Sequence, residues 1–320
     1  MISAVLAADF AKTRIVLAVI DRSGKSLAER SEATPEFTSQ SAFADRCLDL
    51  ASAVAKSART KYKLVSGGVS VGGTVANESD GIKRPGPSST NEAEVVKALQ
   101  KKLKIPLLTE QHRNAMLLGE AWKGSAAKKN DVVLLLAGTG IEAGVLTGGR
   151  LLKGSHGLSG NAAWMAVSEA DGFEVRRFGG LGAFCSESGV VRAAKNAIDA
   201  GFGGLLAEYD PNKFTAADVA TLAREGDLTA RNIFRRAGRQ LGLAAASLIS
   251  LFDPEMLVLG GSMTSAADLF WDELTQTALA RCHPLLAKKV QIKLSKLGDK
   301  AALLGAARLA WEAASKETSR

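Results

Sequence analysis

Apolar residues run along this chain in short dense stretches separated by glycine-rich or polar breaks, and those stretches set the expected elements. Residues 4–20 have the apolar density and β-branched content of buried strand, interrupted by polar positions from Asp9 to Arg14. The pattern predicts a hairpin: a strand, a turn over 9–14, and a second strand over 15–20. Asp21-Arg-Ser-Gly24 reads as a turn, and Phe43, Cys47, Leu50, Val54 and Ala55 give residues 41–61 a helical period. A strand is expected over 64–71. The Gly-, Pro- and Ser-rich stretch 72–90 is long for a compact domain, which predicts a functional loop at a cleft. A helix over 91–103, a short strand over 106–109 and a helix over 114–124 follow.

The pattern then restarts. Residues 131–137 predict a strand, Gly138-Thr139-Gly140 a tight turn, and 143–146 another strand. Strand, turn and strand therefore occur near residue 9 and again near residue 139, which predicts two related lobes facing one another across a cleft. Helices are expected over 189–200 and, Ala-rich, over 216–251. Pro254 ends the latter before a strand over 256–259 and the turn Gly260-Gly261. A final helix is expected over 301–314.

A length of 320 residues with 46% hydrophobic content allows a substantial core and about two domains. The expected boundaries are an N-terminal lobe over 1–118, a C-terminal lobe over 119–298, and a terminal helix, 299–320, returning to the first. The apolar start carries no leading positive charge and is broken by Asp9, so neither secretion nor membrane insertion is expected. Cys47, Cys185 and Cys282 have no framework spacing and fit a reducing compartment, hence a cytoplasmic location. The net charge of +8 raises nucleic acid as a partner, but the lysine clusters are scattered and have no interleaved aromatics. No winged-helix segment is expected before the first strand either. The expectation is no nucleic-acid partner, with a solvated basic surface suited to acidic or phosphorylated small molecules.

Each strand-to-glycine junction can serve a phosphate: a turn without side chains lets backbone N–H groups approach, and a nearby acid or hydroxyl orients magnesium or its water. Asp9 and Thr13 border the first turn, Gly138, Thr139 and Gly140 form the second, and Gly260 and Gly261 the third. The run Asp9-Phe-Ala-Lys-Thr13-Arg14 is similar to an Asp-x-Gly-Gly-Thr-Lys phosphate loop that has lost both glycines. Residues 138–144, 148–157, 252–262 and Leu303-Leu-Gly-Ala-Ala307 carry further matches. On these residues the chain resembles the ROK family (repressor, open reading frame, kinase) over roughly residues 5 to 310. The resemblance implies an α/β, two-lobed actin-like ATPase fold of the ribonuclease H-like type shared by sugar kinases, Hsp70 and actin, with a central cleft. It also implies ATP and magnesium, a sugar substrate and a homodimer.

The chemistry departs from that pattern. Where the family has Glu-Asn-Asp-x-Asn-Ala, with Asp as the base, this chain reads Glu110-Gln111-His112-Arg113-Asn114-Ala115. His112 takes the place of the base and Gln111 that of the Asn. Where the family has Gly-x-x-Gly-Glu-x-Gly-His, it reads Gly157-Leu-Ser-Gly160-Asn161-Ala-Ala-Trp164. The Cys-rich zinc knuckle becomes residues 176–183 without a cysteine, so no zinc is expected. Phe178, Ala183 and Trp164 read as core substitutes for the lost ligands. Two functions remain open. One is an ATP-dependent kinase for a sugar or polyol, with His112 as base, Asp9 and Thr139 near the magnesium phosphate, and Gln111, Asn161 and Trp164 at the substrate. The other is a non-catalytic pseudokinase that binds a nucleotide, sugar phosphate or other anion among Lys12, Arg14 and Arg113.

Overall fold

A computed structural model describes the chain except residues 12–13, 34–39, 59–60, 73, 76–81, 84–91, 211–212 and 318–320. Thr13, Lys12 and most of the loop 72–90 lie outside the described residues. The chain divides into two compact units: Met1–Lys128, Leu151–Ser159 and Lys296–Arg320 form the first, and Lys129–Arg150 with Gly160–Ser295 the second.

The first unit opens with β1 (Ile2–Phe10), β2 (Arg14–Ile20), β3 (Ser26–Ala33), α1 (Gln40–Ala58) and β4 (Tyr62–Val71). The short β5 (Thr74–Val75) and β6 (Ile82–Lys83) follow, then α2 (Glu92–Leu103), β7 (Leu107–Gln111) and α3 (His112–Lys123). The main sheet runs β3-β2-β1-β4-β7, with β1 antiparallel to β2 and parallel to β4. Two corrections to the sequence pattern arise here. Asp9 does not lie in the turn: it is the penultimate residue of β1, opposite Val16 and beside Ser70. And β3, with the sequence SLAERSEA, is a strand although its residues are mostly polar, because an edge strand needs only backbone pairing to β2.

The second unit contains β8 (Val132–Ala137), β9 (Ile141–Thr147), the first residue of β10 (Arg150–Leu151), α4 (Phe173–Phe178), α5 (Gly182–Cys185) and α6 (Glu187–Asp199). It continues with α7 (Ala216–Glu225), α8 (Leu228–Phe252), β11 (Met256–Gly260), α9 (Trp271–Arg281), α10 (Pro284–Ala287) and β12 (Gln291–Leu294). Its sheet runs β10-β9-β8-β11-β12, with β8 antiparallel to β9 and parallel to β11. Both sheets thus begin with an antiparallel hairpin and add parallel strands on the far side of the first strand, so the repeat legible near residues 9 and 139 is one topology used twice. The single helix expected over 216–251 is two. Gly226, at φ 110°, ends α7 in a conformation open to glycine, and Asp227 caps α8 by accepting the Ala230 N–H at 2.7 Å.

The terminal helix α11 (Ala301–Glu317) packs within the first unit. Leu303, Ala306, Ala307, Ala310 and Trp311 bury one face of the sheet through Val5, Ala7, Val16, Ala18 and Ile20. Phe43, Cys47, Leu50, Val54 and Leu99, from α1 and α2, cover the other through Leu6, Ala8, Phe10 and Leu17. Glycine lets three backbones meet: a Cβ on Gly68, Gly119 or Gly305 would stand 2.0, 2.0 and 1.7 Å from the carbonyl oxygens of Ala306, Ala301 and Ala115. Helix α3, which carries His112, is thereby held in direct backbone contact with α11. No helix among the described residues is long and apolar enough to cross a membrane.

Candidate functional site

In the first unit the parallel strands β1, β4 and β7 deliver their C-terminal ends side by side, with Asp9 beside Ser70 and Ser70 beside Glu110. Helix α3 starts without a connecting loop: Gln111 is its extended N-cap and His112 its first residue. Five polar side chains, Asp9, Ser70, Glu110, Gln111 and His112, from three strands and a helix therefore converge where the sequence suggested only Asp9, Gln111 and His112.

Asp9 is 2% exposed. Its Oδ1 accepts the Ser70 hydroxyl at 2.7 Å, and His112 Nδ1 lies 3.2 Å from both that oxygen and Ser70 Oγ. The proton positions follow from the inventory of donors. Ser70 has one proton and gives it to Asp9, so toward His112 it presents a lone pair. Asp9 presents a carboxylate oxygen. Nδ1 must therefore carry a hydrogen, which in the neutral ring puts the lone pair on Nε2. The imidazole is partly exposed, at 31% of its side chain, while the Asp9 side chain is only 3% exposed.

Glu110 is a buried carboxylate whose role the sequence did not disclose. Its Oε1 accepts the Gln111 backbone N–H at 3.0 Å and the Asn114 amide at 2.9 Å, and Lys153 Nζ lies 2.8 Å from Oε2. Gln111 Nε2 donates to the Gly157 carbonyl at 2.8 Å. The segment 151–159 is thus tied to the end of β7 twice. Gln111 Oε1 is buried with no hydrogen-bond partner among the described residues, the costly condition for an acceptor. Of the basic groups considered for anion binding, Arg14 donates to the Asp299 carbonyl at 2.9 Å, and Arg113 is buried, 4% exposed.

Asn161 and Trp164 belong to the second unit, where Asn161 stands at the N-cap position of the short turn Ala162–Trp164 without a capping hydrogen bond from its side chain. Trp164 is 61% exposed, not at the core position expected for it, while Ala183, at 3%, is buried. Phe178 is half-buried, with the Arg192 guanidinium 4.5 Å and that of Arg177 5.3 Å from its ring centre. The glycines of this stretch have a packing reason. Gly179 sits at φ 81°, where a Cβ would stand 2.2 Å from the Ala163 carbonyl oxygen, the same oxygen that accepts the Leu181 N–H at 2.9 Å. Cys185 is buried, its thiol donating to Gln240 Oε1 at 3.4 Å, and burial pushes its pKa far up, the opposite of a ligating thiolate.

The glycine turns of the second unit do come together. β8 and β11 are neighbours, with Gly260 beside Leu136, so the turn Gly138–Thr139–Gly140 abuts Gly260–Gly261–Ser262. A Cβ on Gly138 would meet Ser262 Oγ at 2.6 Å, and one on Gly261, at φ 94°, would meet the Ala137 carbonyl oxygen at 2.3 Å. Gly140 has open space around it and Thr139 is exposed. The start of α6 closes the group: the Glu187 N–H donates to the Gly138 carbonyl at 2.9 Å, and Ser262 Oγ donates to Glu187 Oε1 at 2.5 Å. Glu187 and Ser262 went unnoticed in the sequence because only the sheet order brings residues 75 positions apart together.

Two α/β units with one repeated sheet order, each ending its parallel strands in a polar or glycine-rich turn, define the actin-like ATPase class. Within that class the chain belongs to the ROK family, whose family model matches residues 5–313. It is similar to a glucokinase of Streptomyces coelicolor, 27% identical over 317 residues that cover 95% of this chain and 96% of that protein. It is also similar to a xylose repressor of Caldicellulosiruptor bescii, 25% identical over 256 residues covering 79% of this chain, and the match spans only 64% of the repressor's length. Among solved structures, a ROK family glucokinase from Streptomyces griseus in complex with glucose and AMPPNP superposes with a TM-score of 0.74 at 25% identity, covering 97% of this chain and 99% of that one.

Proposed function

We propose that this chain is a ligand-binding member of the ROK family, retaining a nucleotide-binding turn and a sugar-type site while its phosphoryl transfer is impaired. The observation that carries this reading is the 3.2 Å contact between His112 Nδ1 and Asp9 Oδ1. Phosphoryl transfer depends on positioning and on electrostatic stabilisation of the transferring group, with a carboxylate base for the attacking hydroxyl and metal ions on the phosphates. The family's pattern, carried onto these positions, uses two carboxylates. This chain has one, Asp9, and it is bonded to the imidazole that stands in place of the other.

Magnesium fits this arrangement poorly. Oδ1 of Asp9 already accepts Ser70 and faces a hydrogen-bearing Nδ1, so a cation placed there would oppose the imidazole. The turn at 138–140 and 260–262 fits a nucleotide better, because Gly140 leaves room for a phosphate to reach backbone N–H groups. The buried, unpartnered Gln111 Oε1 supports a ligand with a hydroxyl donor in the first unit.

A second reading is an active kinase in which His112 is the base. The Nδ1–H tautomer favours it, since an imidazole held by a carboxylate through Nδ1 offers its other nitrogen as acceptor. Calorimetric titration with ATP and with a panel of hexoses, amino sugars and polyols, run beside a coupled phosphorylation assay, separates the two. Binding with turnover far below ordinary kinase rates supports the proposal; brisk turnover on a sugar defeats it.

A further inference from the structure

Glu187 is the feature of the nucleotide turn that phosphate binding does not explain. Its carboxylate stands at the meeting point of the two glycine turns, where Oε1 accepts Ser262 Oγ and the backbone N–H holds Gly138. Oε2 has no hydrogen-bond or ion-pair partner among the described residues, and the side chain is only partly buried. A negative charge in a phosphate cradle repels the phosphates it would have to admit. Lone carboxylates are also weak magnesium sites, since that ion prefers several oxygen ligands or waters in octahedral array. A carboxylate does have one neutral ligand it suits well: a pair of neighbouring hydroxyls, each donating to one carboxylate oxygen.

We propose that Glu187, backed by Ser262, recognises the 2′,3′-diol of a ribonucleotide, and so fixes the direction in which the nucleotide lies across the turn. This rests on the nucleotide-binding reading above and adds the sugar moiety to it. The phosphates occupy the open side, at Thr139 and Gly140, where no side chain fills the space around Gly140. The ribose lies over Glu187. Ser262 Oγ is held against Gly138 by the absence of a Cβ there, which fixes the carboxylate through Oε1 and leaves Oε2 to turn toward the ligand. A site built to accept hydroxyl protons rejects an analogue without them more strongly than a shape-matched apolar pocket would.

The test compares ATP, 2′,3′-dideoxy-ATP and inorganic triphosphate by titration calorimetry on the full chain, with Glu187→Ala, Glu187→Gln and Ser262→Ala beside the wild type. The wild type should bind ATP about tenfold to a hundredfold more tightly than the dideoxy analogue, the range expected for hydrogen bonds to a charged group. Glu187→Ala should bind both equally, at the level of the dideoxy analogue, and Glu187→Gln should fall between. Equal binding of ATP and dideoxy-ATP by the wild type overturns the proposal, as does a preference that survives in Glu187→Ala. Triphosphate binding as tightly as ATP would retain the phosphate turn and remove the ribose contact. If none of the three binds the wild type, the nucleotide reading itself falls and the ribose contact with it. Glu187→Gln keeps the side-chain volume and an acceptor for Ser262, so it remains informative if Glu187→Ala unfolds.

Discussion

Gly305→Ala should destabilise the protein although alanine is the better helix former. In an exposed helix the substitution gains about 1 kcal/mol of helix propensity. Here the new methyl would stand 1.7 Å from the Ala115 carbonyl oxygen of α3, where carbon and oxygen normally approach to about 3.3 Å. The obstacle is backbone on a packed helix, so no rotamer change relieves it; α3 and α11 must separate by roughly 1.5 Å. Such overpacking lies at the top of its usual range, about 3 kcal/mol, leaving a net loss of about 2 kcal/mol after the propensity gain. With a urea dependence of about 2 kcal/mol per molar, the unfolding midpoint of the first unit should fall by about 1 M. Trp122 and Trp311 both lie in that unit and report it by fluorescence. An unchanged or raised midpoint would refute the claim that α3 and α11 meet backbone to backbone.

Two further outcomes follow from buried or paired carboxylates. Glu120 is fully buried and accepts the Ser125 N–H at 2.6 Å and the Leu297 N–H at 3.0 Å, so Glu120→Ala should cost about 3 kcal/mol or more in urea unfolding, while Glu120→Gln, which keeps one acceptor, should cost about half. Glu273 has its pKa held below the usual carboxylate range, chiefly by the hydrogen bond from Arg239 and then by Arg235. A depressed folded value gives stability that is present above the unfolded pKa and lost as pH falls through the folded one. Wild type should therefore lose stability below about pH 4.5 faster than Glu273→Gln, by a small margin because the arginines are exposed; parallel acid profiles would contradict the pairing.

The sequence disclosed most where physics is local. Dense β-branched runs gave β1, β2, β4, β8 and β11, and the recurring strand, turn and strand exposed the duplicated topology. Polar β3 escaped because an edge strand carries no apolar signature, and the break between α7 and α8 escaped although Gly226 followed by Asp227 is a stop and a start signal. The backbone partners of the helical glycines Gly119 and Gly305 depend on how α3 meets α11 and could not be read from the sequence. In the site, His112 stood out in the motif at the position where the resemblance implies an Asp. What that exchange does was hidden, since the bonds from Ser70 and His112 to Asp9, from Lys153 to Glu110, and from Ser262 to Glu187 depend on strand order.

That Asp9 is committed to His112 is tested most directly by restoring the missing carboxylate. His112→Asp removes the imidazole from Asp9 and places at the start of α3 the carboxylate that the resemblance implies there. Initial rates of ATP-dependent phosphorylation, measured for wild type and His112→Asp across the same sugar panel with magnesium, should rise at least about tenfold in the variant on one or more sugars, the lower part of what a positioned general base contributes. Ordinary kinase turnover by the wild type, abolished in His112→Asp, would contradict the account and make the imidazole the working base.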